Sequence, residues 1–176
     1  MRRTRGAVTV ECVLGDVTAQ ADADAVVNAA NARLEPGGGV AGAIHGAAGP
    51  GLAEEAGPLG PIHPAEAVIT GGHGLPNRFV IHVLGPVYGQ DRPEADLLAR
   101  CYRNALVLAE ENGASSVAFP AISTGVFGYP VEDAAAVALR AVRDEVEGLR
   151  TVRLVRFVLF SERDLEAHER ALSEVF

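Results

Sequence analysis

The amino-acid sequence predicts an α/β fold: a three-layer α/β/α sandwich in which helices cover both faces of a mixed, mostly parallel sheet. Three observations support this fold class. Short apolar runs alternate along the chain with longer amphipathic segments, the apolar runs are rich in β-branched residues, and glycine-containing loops separate the two kinds of segment. Short, continuously apolar runs are typical of parallel strands buried on both faces. No repeat or linker interrupts the pattern, so we expect residues 1–176 to form a single domain.

Six segments are predicted to be strands. The run Ala-Val-Val-Asn at Ala25–Asn28 suits a short buried parallel strand, and the alternating, β-branched segment Ala7–Val13 suits a strand that could lie at an edge. The segment Val152–Phe160 has the strongest strand character. In chain order, the predicted strands are Ala7–Val13, Ala25–Asn28, Ala65–Thr70, Arg78–Leu84, Ser116–Ile122 and Val152–Phe160.

Five segments are predicted to be helices. Glu94–Asn112 is the clearest, because its apolar residues recur at helical spacing and Gly113 follows its end. Pro130 suits the first turn of the next helix, and Ser161 with Asp164 resembles a capping box that opens the last one. In chain order, the predicted helices are Val40–Ala48, Gly51–Ala56, Glu94–Asn112, Pro130–Glu147 and a final helix that runs to about Val175.

The charged residues exclude several classes of chemistry. All 15 basic residues are arginine, which excludes a Schiff-base lysine, a Walker A phosphate loop and a Tyr-x-x-x-Lys reductase pair. The net charge of −8 argues against a nucleic-acid partner, since such proteins need a basic face. The five histidines lack metal-ligand spacing, and we expect neither a metal nor another cofactor.

The sequence also suggests where the protein works. Cys12 and Cys101 are isolated from each other and from any metal-ligand motif, so we expect two free, buried thiols in a reducing compartment. No run of eighteen apolar residues is present, which argues against a membrane span. We therefore expect a cytoplasmic protein with no membrane partner.

Two glycine-containing loops follow predicted strands and are candidates for anion binding. The first contains Gly37-Gly38-Gly39-Val40 and opens a helix; the second is Ser123–Gly128. Free backbone N–H groups at a helix start attract anions, and glycine lets a phosphate approach closely. Ligands of open α/β sheets sit at the carboxyl ends of strands. Each loop alone could be merely a tight turn, but the pair could hold a diphosphate from both sides.

Two further interpretations concern this region. The segment Gly37–Gly42 matches Gly-x-Gly-x-x-Gly, but it starts too far after the strand and lacks the acidic partner of a nicotinamide-binding fold, so an NAD-dependent oxidoreductase is disfavoured. Asn31 could offer its amide to a sugar hydroxyl, or it could simply form a turn with its own backbone. His82 lies inside an apolar strand and is interpreted as a hydrogen-bonded core residue.

Several ordered motifs resemble those of the macro domain, a family that binds ADP-ribose. The resemblance runs nearly end to end, and its motifs are Leu14–Thr18, Val27–Asn31, Gly37–Ile44, Ile81–Pro86, Phe119–Gly128 and the terminal Phe160 of the last strand. Because several motifs occur in order at matching spacing, the signal is far more specific than a single glycine pattern. The resemblance implies a macro-domain-like fold and an ADP-ribose ligand, free or attached to a protein or metabolite.

At one end of the ligand, the resemblance implies recognition of the adenine. Asp16 would accept a hydrogen bond from the adenine amino group, and Val17 would contribute its backbone N–H. Phe160 would stack on the base, although core packing is an equally acceptable interpretation of that residue. A carboxylate suits an exocyclic amine, and an aromatic face suits a base.

At the other end, the resemblance implies contacts with the diphosphate and the distal ribose. Asn31 would bind the ribose hydroxyls, Phe127 would pack against the sugar, and Asn31, Gly39 and Phe127 would lie nearest the reaction. The residues expected to hold the diphosphate are Gly37, Gly38, Gly39, Val40, Ser123, Thr124, Gly125, Val126 and Phe127.

One position departs from a hydrolase branch of the family in which the loop reads Gly-Val-Asp-Gly. Ala41 stands at the position of that aspartate, so its carboxylate is absent. The Gly-Gly-Gly-Val-Ala form resembles other branches, some of which still remove ADP-ribose from acidic side chains by positioning a water. We therefore expect an enzyme that hydrolyses ADP-ribosyl esters of Asp, Glu or acetate, with a non-catalytic ADP-ribose reader as the alternative.

Overall fold

The computed structural model describes residues 1–176 and consists of one seven-stranded sheet with five α-helices. The strands are β1 (Arg2–Arg5), β2 (Val8–Leu14), β3 (Ala25–Ala29), β4 (Ala67–Gly71), β5 (Phe79–Val83), β6 (Ser116–Phe119) and β7 (Leu154–Leu159). The helices are α1 (Gly39–Ala48), α2 (Gly51–Ala56), α3 (Glu94–Glu111), α4 (Val131–Val146) and α5 (Glu162–Val175).

The sheet is mixed and mostly parallel, which confirms the predicted fold class. Its strand order is β1-β2-β7-β6-β3-β5-β4. The five central strands run parallel, and only the edge strands β1 and β4 are antiparallel to their neighbours. The carboxyl ends of β2, β7, β6, β3 and β5 therefore meet along one edge of the sheet, where ligands of such sheets bind.

Helices cover both faces of the sheet because alternate strand residues point to opposite sides. Val27 of β3 packs into a cluster of 35 buried residues with α3, α4 and α5, whereas Val26 packs into a cluster of 10 with α1 and α2. The larger core therefore lies on the α3–α5 face. None of the five helices combines the length and the apolar character needed to cross a bilayer.

Strand β1 was not predicted, and its residues explain why. All four of its residues are exposed, and three are arginine, so the strand carries no apolar alternation. It is held by the antiparallel ladder with β2 and by Arg2, whose guanidinium donates to Glu11 Oε2 at 2.7 Å. Charged side chains on an edge strand also discourage pairing with another chain.

Other local predictions can be compared with the structure. Strand β4 begins at Ala67 rather than Ala65, because Ala65 has a φ of +75° that no strand accommodates. Ser161 caps α5 as predicted, since its hydroxyl accepts a hydrogen bond from the N–H of Asp164 at 3.2 Å. Cys12 and Cys101 are free and buried, as predicted.

Candidate ligand-binding site

A cavity of about 410 Å³ opens at the carboxyl edge of the sheet, between β3 and β6. The two strands pair only at Ala25 and Val26 of β3 and then separate, although β3 continues to Ala29. The cavity is lined by Ala29, Ala30, Asn31, Gly37, Gly38, Gly39, Val40, Ala41, Gly85, Ala121, Ile122, Ser123, Gly125, Val126 and Phe127.

The first glycine loop, Gly37–Val40, forms one wall of the cavity. Gly38 is extended and caps α1, and Gly39 begins the helix with a φ of +57°, a conformation that glycine adopts readily. The backbone N–H groups of Gly37, Gly38, Gly39 and Val40 donate to no group in the protein. Together with the positive end of the α1 dipole, these N–H groups suit an anion.

Gly42 gives this loop its close packing. A Cβ atom at Gly42 would overlap the carbonyl oxygen of Gly37, whereas a Cβ at Gly46, one turn later, would meet nothing within 4 Å. Gly42 also donates its N–H to the carbonyl of Gly38 at 3.2 Å. The glycine at position 42 therefore lets the loop fold back tightly onto the first turn of α1.

The second glycine loop, Ser123–Gly128, forms the facing wall. Its ends are tied by hydrogen bonds from the N–H of Tyr129 to the carbonyl of Ser123 (2.9 Å) and from Gly128 to Gly125 (3.0 Å). The N–H groups of Gly125, Val126 and Phe127 have no partner in the protein. Two rows of free main-chain donors thus lie on the two sides of one cavity.

The hydroxyl groups of the second loop are used inside the protein. Ser123 is buried with a φ of +68°, and its Oγ donates to the carbonyl of Pro86 at 2.8 Å. The hydroxyl of Thr124 donates to the carbonyl of Ala121 at 2.9 Å, and Thr124 does not line the cavity. Both hydroxyl protons are therefore committed within the protein in this conformation, so neither hydroxyl is free to donate to a phosphate.

Asn31 lines the cavity and also forms a turn, so both interpretations of this residue have structural support. Its Nδ2 donates to the carbonyl of Glu35 at 2.7 Å, and its Oδ1 accepts from the N–H of Glu35 at 3.0 Å. One N–H and one lone pair of the amide are left for a ligand. Phe127 lines the cavity as well, and its carbonyl accepts from the N–H of Tyr88 at 2.8 Å.

Asp16, Val17 and Phe160 lie outside this cavity, on the same edge of the sheet. They follow β2 and β7, whose ends are joined by a hydrogen bond from the N–H of Gly15 to the carbonyl of Leu159 at 2.9 Å. Phe160 is 90% exposed, so the core-packing interpretation of this residue was wrong.

The Asp16 carboxylate is partly committed to its own turn. Its Oδ1 accepts from the hydroxyl and the N–H of Thr18, at 2.7 and 2.8 Å, and these bonds lower the pKa of the carboxyl below its usual value. The group is therefore ionised at neutral pH, and its Oδ2 makes no hydrogen bond within the protein.

Comparison with known proteins decides the family. The family model described as Macro domain matches residues 27–138. A macro domain-containing protein of Chlorobaculum tepidum is 50% identical over 167 residues, which are 94% of this chain and 96% of the relative. The chain belongs to the macro domain family. An O-acetyl-ADP-ribose deacetylase of Klebsiella pneumoniae is 46% identical over 172 residues, 95% of this chain and 98% of the relative.

The fold of this macro domain matches solved structures closely. The Oceanobacillus iheyensis macrodomain with ADP superimposes with a TM-score of 0.94 at 42% sequence identity, covering 99% of this chain and 95% of that one. The family resemblance and the fold inferred from the sequence are thereby confirmed.

The cavity of this macro domain has no titratable lining. None of its 15 lining residues is acidic, basic, histidine, cysteine or tyrosine, and Ala41 forms part of the wall. A ligand in the cavity would therefore meet main-chain dipoles, apolar side chains that include the Phe127 ring, the Ser123 hydroxyl and one carboxamide, with no side chain that titrates near neutral pH.

Sequence reasoning did not single out five of the lining residues, Ala29, Ala30, Gly85, Ala121 and Ile122, and it named Ala41 only as the position where an aspartate is absent. Small apolar side chains carry no chemical signal of their own. Their signal lies in their place within the motifs Val27–Asn31, Gly37–Ile44, Ile81–Pro86 and Phe119–Gly128, which end or follow the strands around the cavity.

Proposed function

We propose that this macro domain binds ADP-ribose along the carboxyl edge of its sheet and hydrolyses mono-ADP-ribose esters, either on Asp and Glu side chains or in O-acetyl-ADP-ribose. The observation that carries the proposal is the pair of glycine loops, whose free main-chain N–H groups face one cavity of about 410 Å³. The solved relative with ADP and the relative named O-acetyl-ADP-ribose deacetylase support the choice of ligand and reaction.

The order of strands along the edge matches the order of groups in ADP-ribose. The edge runs from β2 and β7, with Asp16 and Phe160, past β6 and β3, with the two glycine loops, to β5 and Gly85. Four strand spacings separate β2 from β5, a span of about 19 Å. We propose that the adenine lies over β2 and β7, the diphosphate between the loops, and the distal ribose beside Asn31 and Phe127.

The diphosphate is held without lysine. The N–H groups of Gly37–Val40 and Gly125–Phe127 supply donors from both sides, and the α1 dipole adds partial positive charge at Gly39. Main-chain donors fixed by the fold need little reorganisation when the ligand arrives. Ser123 and Thr124 contribute through the path of the main chain rather than through their hydroxyls.

The proposed reaction is the addition of water to an ester of the distal ribose. For an Asp or Glu ester, the water oxygen bonds to the anomeric carbon, the bond from that carbon to the carboxylate oxygen breaks, the carboxylate leaves with its electron pair, and one water proton passes to solvent. For an acetyl group on a ribose hydroxyl, the water oxygen bonds to the acetyl carbonyl carbon, the bond from that carbon to the ribose oxygen breaks, and the ribose oxygen leaves as a hydroxyl by taking up one proton. Since no cavity residue can act as a base, we propose that a ligand phosphate oxygen and the N–H groups near Gly39 hold the water. Asn31 and Phe127 position the sugar, so rate enhancement comes from orientation.

A non-catalytic reader of ADP-ribose is the second candidate. The absence of titratable side chains from the cavity wall, with Ala41 in that wall, favours this alternative. The two candidates share the binding mode and differ only in turnover.

One sample can distinguish the two candidates. Calorimetric titration with ADP-ribose, AMP and NAD measures binding, and incubation with a glutamate-linked mono-ADP-ribosylated protein or with O-acetyl-ADP-ribose measures release. We expect ADP-ribose to bind more tightly than AMP or NAD and both esters to be cleaved. Binding without release above the buffer rate selects the reader, and tighter binding of NAD than of ADP-ribose would overturn the proposal.

We also propose that residues 1–176 act as one domain in the cytoplasm, without a nucleic-acid or membrane partner. The two buried free thiols suit a reducing compartment, and the net charge of −8 disfavours a polyanion partner. Fractionation of the source cells and a binding assay with DNA, RNA and anionic vesicles test these statements.

A further inference from the structure

We propose that Thr70, His82 and Asn28 form a buried relay of hydrogen bonds that positions the cavity wall at Ala29–Asn31. The inference rests on the proposed function, because it makes these three residues positioning residues for ADP-ribose. They lie on adjacent strands β4, β5 and β3, and each is at most 3% exposed. None of the three lines the cavity.

The donor and acceptor chemistry of the three side chains sets the direction of every hydrogen bond in the relay. The Thr70 hydroxyl donates to the carbonyl of Gly71 at 3.1 Å, so its oxygen accepts from His82 Nε2 at 3.0 Å. With its proton on Nε2, the imidazole accepts at Nδ1 from Asn28 Nδ2, at 3.1 Å. The relay therefore needs neutral His82 in one tautomer, and burial, with a smaller effect of His45, lowers the pKa of His82 to about 4.

The relay acts where the sheet is otherwise open. Strand β3 pairs with β6 only as far as Val26, and the segment from Ala29 onwards lines the cavity on that side. On the other side it is held by the β5 ladder and by the hydrogen bond from the N–H of Ala30 to the carbonyl of Val83, at 2.9 Å. The Asn28–His82 bond joins residues that are directly opposite in this ladder, and so it fixes the end of β3 against β5.

The polar composition of the relay also points to a role in positioning. Asn28 is fully buried, and its Oδ1 has no hydrogen-bond partner in the protein. An unpaired buried carbonyl lowers stability, so an apolar side chain would be the more stable choice for packing alone. Asn28 stands three residues before Asn31, and its fixed orientation determines where the Asn31 main chain leaves the sheet.

The test compares substitutions that remove a hydrogen bond of the relay with a matched control substitution elsewhere in the core. The variants are Asn28→Leu, His82→Leu, the double variant and Thr70→Val, and His82→Gln serves as a conservative replacement that keeps one donor and one acceptor. His168→Leu is the control, because His168 is also a buried histidine but lies on α5, on the opposite face of the sheet. The measurements are calorimetric affinity for ADP-ribose, the free energy of unfolding, and hydrogen exchange of the Ala30 amide.

We expect His82→Leu and Asn28→Leu each to weaken ADP-ribose binding about tenfold, roughly the worth of one hydrogen bond between the cavity wall and the ligand. The double variant should be no weaker than either single variant, since both break the same bond. His82→Gln should stay within about threefold of wild type, and Thr70→Val should lose less than His82→Leu. His168→Leu should lose stability but keep its affinity. Equal affinity losses in His82→Leu and His168→Leu at matched stability would overturn the relay.

The exchange measurement separates the relay from the proposed function. If the wild type fails to bind ADP-ribose, the proposed function fails, but the Ala30 amide still reports on the end of β3. Faster exchange of this amide in His82→Leu than in His168→Leu supports the relay. The same exchange rate in both variants, or failure of ¹⁵N imidazole shifts to show the Nε2–H tautomer, overturns it. If His82→Leu does not fold, Thr70→Val and His82→Gln carry the same comparison.

Discussion

At the cavity between the two glycine loops, a ligand would meet main-chain N–H groups, whereas at the ends of β2 and β7 it would meet the exposed side chains of Asp16 and Phe160. The loop donors are fixed by helix α1, by the tight packing at Gly42 and by the loop closure at Gly128. The Phe160 side chain, in contrast, is 90% exposed, so no comparable packing within the protein fixes its orientation.

The difference teaches what each region can contribute. Donors held by the fold are oriented before the ligand arrives, which suits stabilisation of charge and orientation of a reacting sugar. An exposed aromatic side chain contributes affinity for a base, but it has no means of fixing the far end of the ligand. We therefore expect substitutions in the cavity to affect both turnover and binding, and those at Asp16 and Phe160 to affect binding alone.

The largest effect is expected for Gly42→Ala. Its Cβ would overlap the carbonyl oxygen of Gly37, and because that oxygen is main chain rather than the end of a flexible side chain, the loop must move. We expect ester release to fall at least ~100-fold, the cost in rate of a 1 Å misplacement of reacting groups, and ADP-ribose affinity to fall with it. Calorimetry and the release assay measure the two losses.

The neighbouring glycine provides the control. Gly46→Ala lies one turn further along the same helix with nothing near its Cβ, so it should bind normally and gain about 1 kcal/mol of stability. A Gly42→Ala protein that binds as well as Gly46→Ala would show that the first glycine loop does not hold the diphosphate.

Asn31→Ala is expected to have the next largest effect, with a larger loss of turnover than of ADP-ribose affinity. The substitution removes the ribose contact and also the two hydrogen bonds to the Glu35 main chain. We expect kcat to fall about 100-fold and ADP-ribose affinity about tenfold, because the side chain lies near the reacting sugar in the proposed mode. Glu35→Ala is the control, since both bonds use the Glu35 backbone. Equal losses of turnover and binding would count against Asn31 at the reacting end.

Most of the fold was predictable from the sequence because buried strands and amphipathic helices leave a hydrophobic pattern. Strand β1 was missed because its exposed residues Arg2–Arg5 have no such pattern and depend on pairing with β2. The antiparallel direction of β4 was not predicted either, since direction is set by the path of the chain between strands. The helix boundaries at Pro130 and Ser161 were found to within one residue because caps are local signals.

The candidate site was predictable in its loops and less so in its walls. Glycine at a strand-to-helix junction is a local signal, and it identified both loops that line the cavity. The separation of β3 from β6 after Val26 is a tertiary feature without a local signal. The inward-turned hydroxyl of Ser123 likewise depends on the carbonyl of Pro86, which is 37 residues away in the chain.

Phe160→Ala tests the exposed region at the ends of β2 and β7. Stacking of a base on an aromatic ring contributes roughly 1–3 kcal/mol, so we expect ADP-ribose and AMP to bind about ten times more weakly. Ribose 5-phosphate, which lacks a base, should bind both proteins equally, and the free energy of unfolding should change little because the side chain is 90% exposed. A loss of affinity for ribose 5-phosphate as well would mean that Phe160 does not face the base.

Asp16→Asn is expected to have the smallest effect and to change selectivity more than affinity. The substitution keeps an oxygen for the hydroxyl and N–H of Thr18, so the turn at Val17–Ala19 is preserved. At the other atom it replaces an acceptor with an N–H donor, which would face the adenine amino group. We expect ADP-ribose to bind about fivefold more weakly and its inosine analogue, which offers a carbonyl there, to bind more tightly, as expected for a single hydrogen-bonded base contact. Thr18→Val, which removes one bond to Asp16 but keeps its charge, should leave that selectivity unchanged. If Asp16→Asn shows no change in the ratio of the two affinities, then the carboxylate does not read the base, and the exposed end would recognise any flat ring through Phe160 alone.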